Sequence, residues 1–238
     1  MNLPTQPDTP EILYEDGHIL VCVKPHGTAT QSRQVGRPDM VNLLKNHICQ
    51  NAPEKGEPYL AVIHRLDQPV RGILVFAKSP SAAKELNRQL TQQGFGKYYR
   101  ALVEGRPPME SGSLEDYMVK DTRTNLSCIC QSGTPGAKPA RLHYTVVPDG
   151  QRFYSLEQAS LPEDTVCTEL DIRLDTGRHH QIRVQFAHLG CPIIGDTKYN
   201  PRYHEPSGIA PAWHTICLCA YRLDFCHPKT RKMLHFRL

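Results

Sequence analysis

Hydrophobic and polar positions alternate along this chain in a way that predicts short strands interrupted by two or three helices. Ile19 to Val23 is a compact aliphatic and β-branched run that stops at Lys24-Pro25-His26-Gly27, a strand followed by a turn. Asp39 is placed to cap a helix that carries Val41, Leu44 and Ile48 at helical spacing. Tyr59 to Ile63 reads as a strand leading into a loop. Ile73 to Phe76 is apolar at every residue, as in a strand buried on both faces. Ser79-Pro80 then supplies a hydroxyl cap and a first-turn proline, with Ala83, Leu86 and Leu90 as one stripe and Gly94 as the stop.

In the next strand, alternation places Lys97, Tyr99, Ala101 and Val103 on one face and Tyr98, Arg100, Leu102 and Glu104 on the other, so the two tyrosines point apart. Beyond Arg106-Pro107-Pro108 the chain is more polar. Thr134-Pro135-Gly136 reads as a loop between hairpin strands, and Ala140 to Val147, Phe153 to Glu157 and Val166 to Leu174 as strands. Residues 179 to 189 present Ile182, Phe186 and Leu189 at helical spacing before Gly190, which leaves Arg183 off the apolar stripe and able to face a cleft. Ile216 to Phe225 and Met233 to Phe236 read as a closing hairpin. The pattern supports an α+β class with several antiparallel strands. Residues 1–10 are proline-rich and expected to be loose, and residues 11–238 to form a single domain.

Charge sharpens this picture. The formal net charge is only +4, yet residues 64–106 carry eight Lys/Arg against three Asp/Glu, and residues 178–238 nine against three, while residues 107–177 hold six against eleven. Two basic blocks suit a polyanion, whose neutralised phosphates release counterions and make binding salt-sensitive. A solvated charged face is the plainer reading of either block alone. No apolar stretch approaches the roughly 20 residues of a membrane helix, so no membrane partner is expected. Residues 1–7 lack the basic and apolar regions of a signal peptide, and nine cysteines, an odd number without a compact framework, fit a reducing cytoplasm. Cys128 with Cys130 and Cys217 with Cys219 are spaced as neighbours on one strand face, not as a zinc pair, so no metal is expected.

The candidate chemistry centres on Asp67 in His64-Arg65-Leu66-Asp67-Gln68-Pro69-Val70-Arg71-Gly72, a lone carboxylate among cations at the mouth of a strand. Neighbouring positive charge favours its ionised form, and a rigid ionised carboxylate is a nucleophile. The alternative is ordinary turn chemistry, with Asp67 paired to Arg65 or Arg71.

A second segment weighs against that alternative: Arg178-His179-His180-Gln181-Ile182-Arg183, followed by Leu189-Gly190 and Gly195-Asp196. Together with Lys97-Tyr98-Tyr99-Arg100 and with Tyr14-Glu15-Asp16-Gly17 running into Val23-Lys24-Pro25-His26-Gly27, these motifs occur in an order that resembles the RluA-type pseudouridine synthase family. Val70-Arg71 stand where that family carries Thr-Ser. The first strand motif begins near residue 12, leaving no room for the small N-terminal RNA-binding domain that many members carry.

The resemblance implies a bent mixed, largely antiparallel sheet with flanking helices and a central active-site cleft. It implies isomerisation of uridine to pseudouridine in structured RNA, ribosomal or transfer, by a protein taken as a monomer. No atoms are added or removed overall, so no cofactor is implied. Asp67 would be the nucleophile, Arg183 its ionic partner, and Tyr99 the ring stacked on uracil. Arg65, Arg71, Lys97 and Arg178 would bind RNA, with Arg65 filling the place of an extruded base. His64, Leu66, Gly72, His180 and Gln181 would support the loops. Two rivals stay open. One is a non-catalytic RNA-binding or folding factor on the same scaffold. The other is a hydrolase pairing Asp67 with Asp175 or Asp196, which needs two acids of opposed protonation.

Overall fold

The computed structural model describes residues 10–32, 37–51, 56–92, 94–151, 153–154, 165–203 and 215–238. They belong to two compact units, Met1–Gly96 with Ala220–Leu238, and Lys97–Cys219. The class is α+β, a mixed sheet with three α-helices among the described residues.

The first unit begins with β1 (Glu11–Glu15), β2 (Ile19–Lys24), α1 (Met40–Asn51), β3 (Ala61–Val62), β4 (Arg71–Ala77) and α2 (Pro80–Thr91). Every residue of β2 is buried, and β4 is buried from Gly72 onward, which is why both are apolar on successive residues. β2 pairs antiparallel with β1 and β4, and the two-residue β3 pairs with the end of β4. α2 starts at the expected cap: Ser79 Oγ accepts the Ala82 N–H at 3.2 Å, with Pro80 in the first turn. Its Ala82, Ala83 and Leu86 pack on Ile19, Val21, Ile73 and Val75. Asp39 caps α1 by accepting the Asn42 N–H at 2.8 Å. That helix buries Met40 and Leu44, so its inward stripe starts one residue before Val41.

The second unit contains β5 (Gly96–Glu104, beginning at the unit boundary), β6 (Ser111–Asp121), β7 (Leu126–Cys130), β8 (Lys138–Val146), β9 (Cys167–Leu174) and α3 (Gln181–His188). Strand order is β5-β9-β8-β6-β7, antiparallel throughout. Thr134-Pro135-Gly136 does form a turn, closed by the Ala137 N–H on Thr134 O at 2.9 Å. It does not close a hairpin, because β7 and β8 flank β6 and each pairs with it. β6 went unread because one of its faces is solvent-exposed and polar, at Ser111, Ser113 and Glu115. Phe153 and Tyr154 form a bend, and the rest of the strand expected up to Glu157 lies outside the described residues, as do residues 1–9. Tyr144 meets Phe186 of α3 edge-on, and Val184 packs with Met118 and Ala140.

The chain ends with the expected hairpin, β10 (Leu218–Cys226) and β11 (Met233–Arg237), returning to the first unit from Ala220 on. Here Gly72 has a physical reason. A Cβ at Gly72 would lie 2.5 Å from both Cβ and O of Ala220, and its φ of +148° disfavours any side chain. Gly72→Ala is expected to destabilise the protein by about 2 kcal/mol, read as a lower urea midpoint at unchanged slope. An unchanged midpoint would mean that the two strands separate at no cost.

Candidate active site

Asp67 sits on the loop between β3 and β4, where His64 and Asp67 are half-buried and Arg65 is exposed. Leu66 is buried, and the His64 ring lies edge-on to Phe95 with Nε2 accepting the Val75 N–H. Leu66 and the His64 ring therefore anchor the loop on either side of the exposed Arg65, and Asp67 keeps partial exposure. The Val70 N–H closes a turn onto Asp67 O at 2.9 Å.

The segment after β2 holds this loop from the other side. The Lys24 ammonium, fully buried, donates to Pro25 O (2.9 Å), Thr28 O (2.7 Å) and Gln68 O (2.9 Å). Burial lowers its pKa to about 7, against the pull of the Asp67 carboxylate. The Gly27 N–H donates to Gln68 O, the Gln68 amide donates back to Gly27 O, and His26 Nδ1 lies 2.8 Å from Pro69 O. The Thr30 hydroxyl donates to Leu66 O at 3.1 Å and accepts the Leu66 N–H at 3.2 Å. Each backbone group of Leu66 and Gln68 so engaged loses freedom that an open loop would keep. Arg71 is half-buried, 4.0 Å from Glu11.

The other expected site residues lie in the second unit. Tyr99 is buried in β5, on the face opposite Tyr98. Lys97 and Arg178 are close enough that Arg178, after burial, lowers the Lys97 pKa, while Asp175 opposes the shift. Arg178 also donates to Pro139 O at 2.8 Å. Gln181 ties the loop before α3 to the helix: its Oε1 accepts from Thr176 Oγ1 and the Arg178 N–H, and its Nε2 donates to Arg141 O. His180 precedes α3 in the left-handed region, φ 56°, with Nδ1 2.7 Å from the Tyr199 hydroxyl.

Arg183 differs from the expectation that it stands apart from a buried stripe. Gln181 through Phe186 are all buried, and Arg183 is 3% exposed. A charge that deep needs a partner, and Asp196 accepts from Arg183 Nε at 2.8 Å and Nη2 at 2.6 Å. Both carboxylates are engaged elsewhere, Asp196 by Arg183 and Asp175 by His143 at 2.9 Å. That engagement weighs against the hydrolase reading, in which the second acid has to be open to substrate.

Sequence reasoning left Lys24, Thr30, Asp196 and Tyr199 out of the site. Lys24 and Asp196 stood inside the motifs that carried the resemblance, and a lysine at the end of an otherwise apolar strand was a readable sign of a buried ammonium. Among the described residues no cluster of three or more His, Cys, Asp or Glu could hold a metal ion, and no helix is long and apolar enough to cross a membrane.

The family model for RNA pseudouridylate synthase matches residues 18–188. A ribosomal large subunit pseudouridine synthase D of Nitrosomonas europaea is 32% identical over 231 residues, 94% of this chain and 60% of that protein. An uncharacterised RNA pseudouridine synthase of Bacillus subtilis, YhcT, is 31% identical over 230 residues, 94% of this chain and 66% of that protein. The chain thus spans less than two thirds of the length of either relative. The solved structure of human RNA Pseudouridylate Synthase Domain Containing 1 matches with a TM-score of 0.73, over 100% of this chain and 86% of that one, at 21% identity, a likeness of fold.

Proposed function

Because this chain belongs to the RNA pseudouridylate synthase family, we propose that it converts uridines in structured RNA to pseudouridine, with Asp67 as the nucleophile. The observation that carries the assignment to Asp67 is the stapled loop. Backbone groups on both sides of Asp67 are tied to residues 24–30, while its carboxylate stays half-buried beside an exposed arginine. A turn residue without a task has no need of so many fixed neighbours, whereas a nucleophile gains from a pre-set position.

The reaction breaks the N1–C1′ bond of uridine, turns the base and joins C5 to C1′. The C5 proton leaves and N1 gains one, so the substrate and product are isomers. Asp67 forms the transient bond, to ribose or to the uracil ring. Arg183 supplies the positive charge that favours the Asp67 anion, and Tyr99 stacks on the uracil and assists removal of the C5 proton. The uridine has to leave its stack first, at a cost of about a few kcal/mol, and Arg65 occupies the vacated space. Arg71, Lys97 and Arg178 hold phosphates.

This reading treats residues 11–238 as one catalytic domain, monomeric and cytoplasmic, acting on ribosomal or transfer RNA without a cofactor. Mapping pseudouridine across cellular RNA with and without the protein tests it. Sites that vanish with the protein, and return when purified protein meets the unmodified RNA, are the expected result. An unchanged map, with purified protein that binds RNA but forms no product, would leave the RNA-binding factor instead.

A further inference from the structure

Arg183 is gripped on two sides by residues of the turn that follows Gly195. The Asp196 carboxylate, wholly buried, takes Nε and Nη2 of Arg183 in a two-point pair, at 2.8 and 2.6 Å. The same carboxylate accepts the N–H groups of Lys198 (2.9 Å) and Tyr199 (3.2 Å), which fixes the turn to the ion pair. The turn brings the Tyr199 ring to 5.2 Å from the Arg183 guanidinium carbon, within cation–π range. Gly195 permits this geometry: its φ is +76°, and a Cβ there would collide with the Thr215 carbonyl.

Tyr199 is itself anchored at its far end. Its hydroxyl oxygen accepts the Ser127 N–H of β7 at 2.9 Å, which leaves the hydroxyl proton for His180 Nδ1 at 2.7 Å. For that, His180 has to be neutral at Nδ1. Burial, and then the charge of Arg183, hold its pKa well below the usual imidazole range. His180 stacks on His179, whose Nδ1 lies 2.9 Å from Ser127 Oγ. A carboxylate and a phenol ring therefore meet the one guanidinium, and the phenol is braced at its hydroxyl by the backbone of β7 and a neutral imidazole.

A guanidinium needs one good carboxylate to be satisfied in a buried place. A second, aromatic contact, braced through its hydroxyl to another strand, fixes the plane of the group as well as its charge. We propose that Asp196 and Tyr199 are positioning residues that set the location and plane of the Arg183 guanidinium for pseudouridine formation. This rests on the function proposed above, in which Arg183 acts on the Asp67 anion.

The test uses the full chain with Asp196→Asn and Tyr199→Phe. The rate is expressed per RNA-binding molecule, so that misfolded protein does not count. Asp196→Asn is expected to lower kcat by roughly 30-fold and Tyr199→Phe by about fivefold, with KM for RNA unchanged, because a misplaced group costs rate and not binding. A merely structural role would reduce the number of RNA-binding molecules and leave kcat per molecule at the wild-type value, and that result for either variant overturns the proposal. Should Asp196→Asn yield no RNA-binding protein, Tyr199→Phe decides by the same criterion. A readout independent of turnover is the Arg183 Nε–H nitrogen resonance. It is expected to exchange slowly with solvent in the wild type and faster in Tyr199→Phe, and fast exchange in the wild type would overturn the clamp. Wild-type protein that makes no pseudouridine would count against the proposed function, whereas active wild type with unaltered variants counts against this inference alone.

Discussion

Asp67→Asn should lower pseudouridine formation by roughly 10⁴-fold or more while RNA affinity changes by less than about threefold. The substitution keeps the shape of the side chain. The backbone links that hold the loop, Val70 N–H on Asp67 O and the bonds from Lys24 and Thr30, do not involve the carboxylate and persist. What changes is the anionic oxygen, since an amide is a poor nucleophile. RNA affinity is assigned to cations such as Arg65 and Arg71, which the substitution leaves in place. Each reading of the chain makes a different forecast. A binding factor would give no product from wild type or variant. A catalyst using another group would survive the change with most of its rate, and rate retention within about tenfold would end the case for Asp67.

Much of this was legible in the sequence because local patterns and tertiary environment agreed. β2 is apolar from Ile19 to Val23 and β4 from Ile73 to Ala77, and both stretches are buried throughout. Ser79-Pro80 announces α2, and the β10–β11 hairpin is written in two apolar runs around His227-Pro228-Lys229-Thr230. The failures share one cause. β6 takes its neighbours from β7 and β8, and a half-exposed strand with serines and glutamates on its open face looks like a loop to any local rule. α3 buries the expected Ile182 and Phe186 but also every residue between Gln181 and Phe186, so the apolar stripe does not mark one buried face, and the environment of Arg183 is set by Asp196, thirteen residues on. Candidate chemistry was readable as residue types near each other in sequence. The groups that hold that chemistry in place are not, because Lys24 reaches Gln68 across 44 residues and Ser127 reaches Tyr199 across 72.

Lys24→Met should be the most damaging substitution outside the proposed catalytic residues, costing about 2–4 kcal/mol of stability near pH 9, because even the uncharged amine supplies two N–H donors to the three carbonyls around it, and one of those, Gln68 O, belongs to the Asp67 loop. The pH dependence gives the sharper check. Burial puts Lys24 at about 7 in the folded protein, below the 10.5 of a free lysine. Between those values the unfolded chain binds one more proton than the folded one, so the contribution of Lys24 to stability increases with pH, by at most about 1.4 kcal/mol per unit, and levels off above the upper value. Wild type minus Lys24→Met, followed by urea unfolding from pH 7 to pH 10, isolates this group from tyrosines and cysteines that also titrate. A difference that grows with pH is expected, together with faster hydrogen exchange at the Val70 and Gly27 amides, which bond to Asp67 O and Gln68 O. A difference that is flat or shrinks with pH would mean that the three carbonyls outweigh burial and keep the ammonium charged throughout. Unaltered exchange at both amides would mean that the Asp67 loop keeps its shape without this lysine.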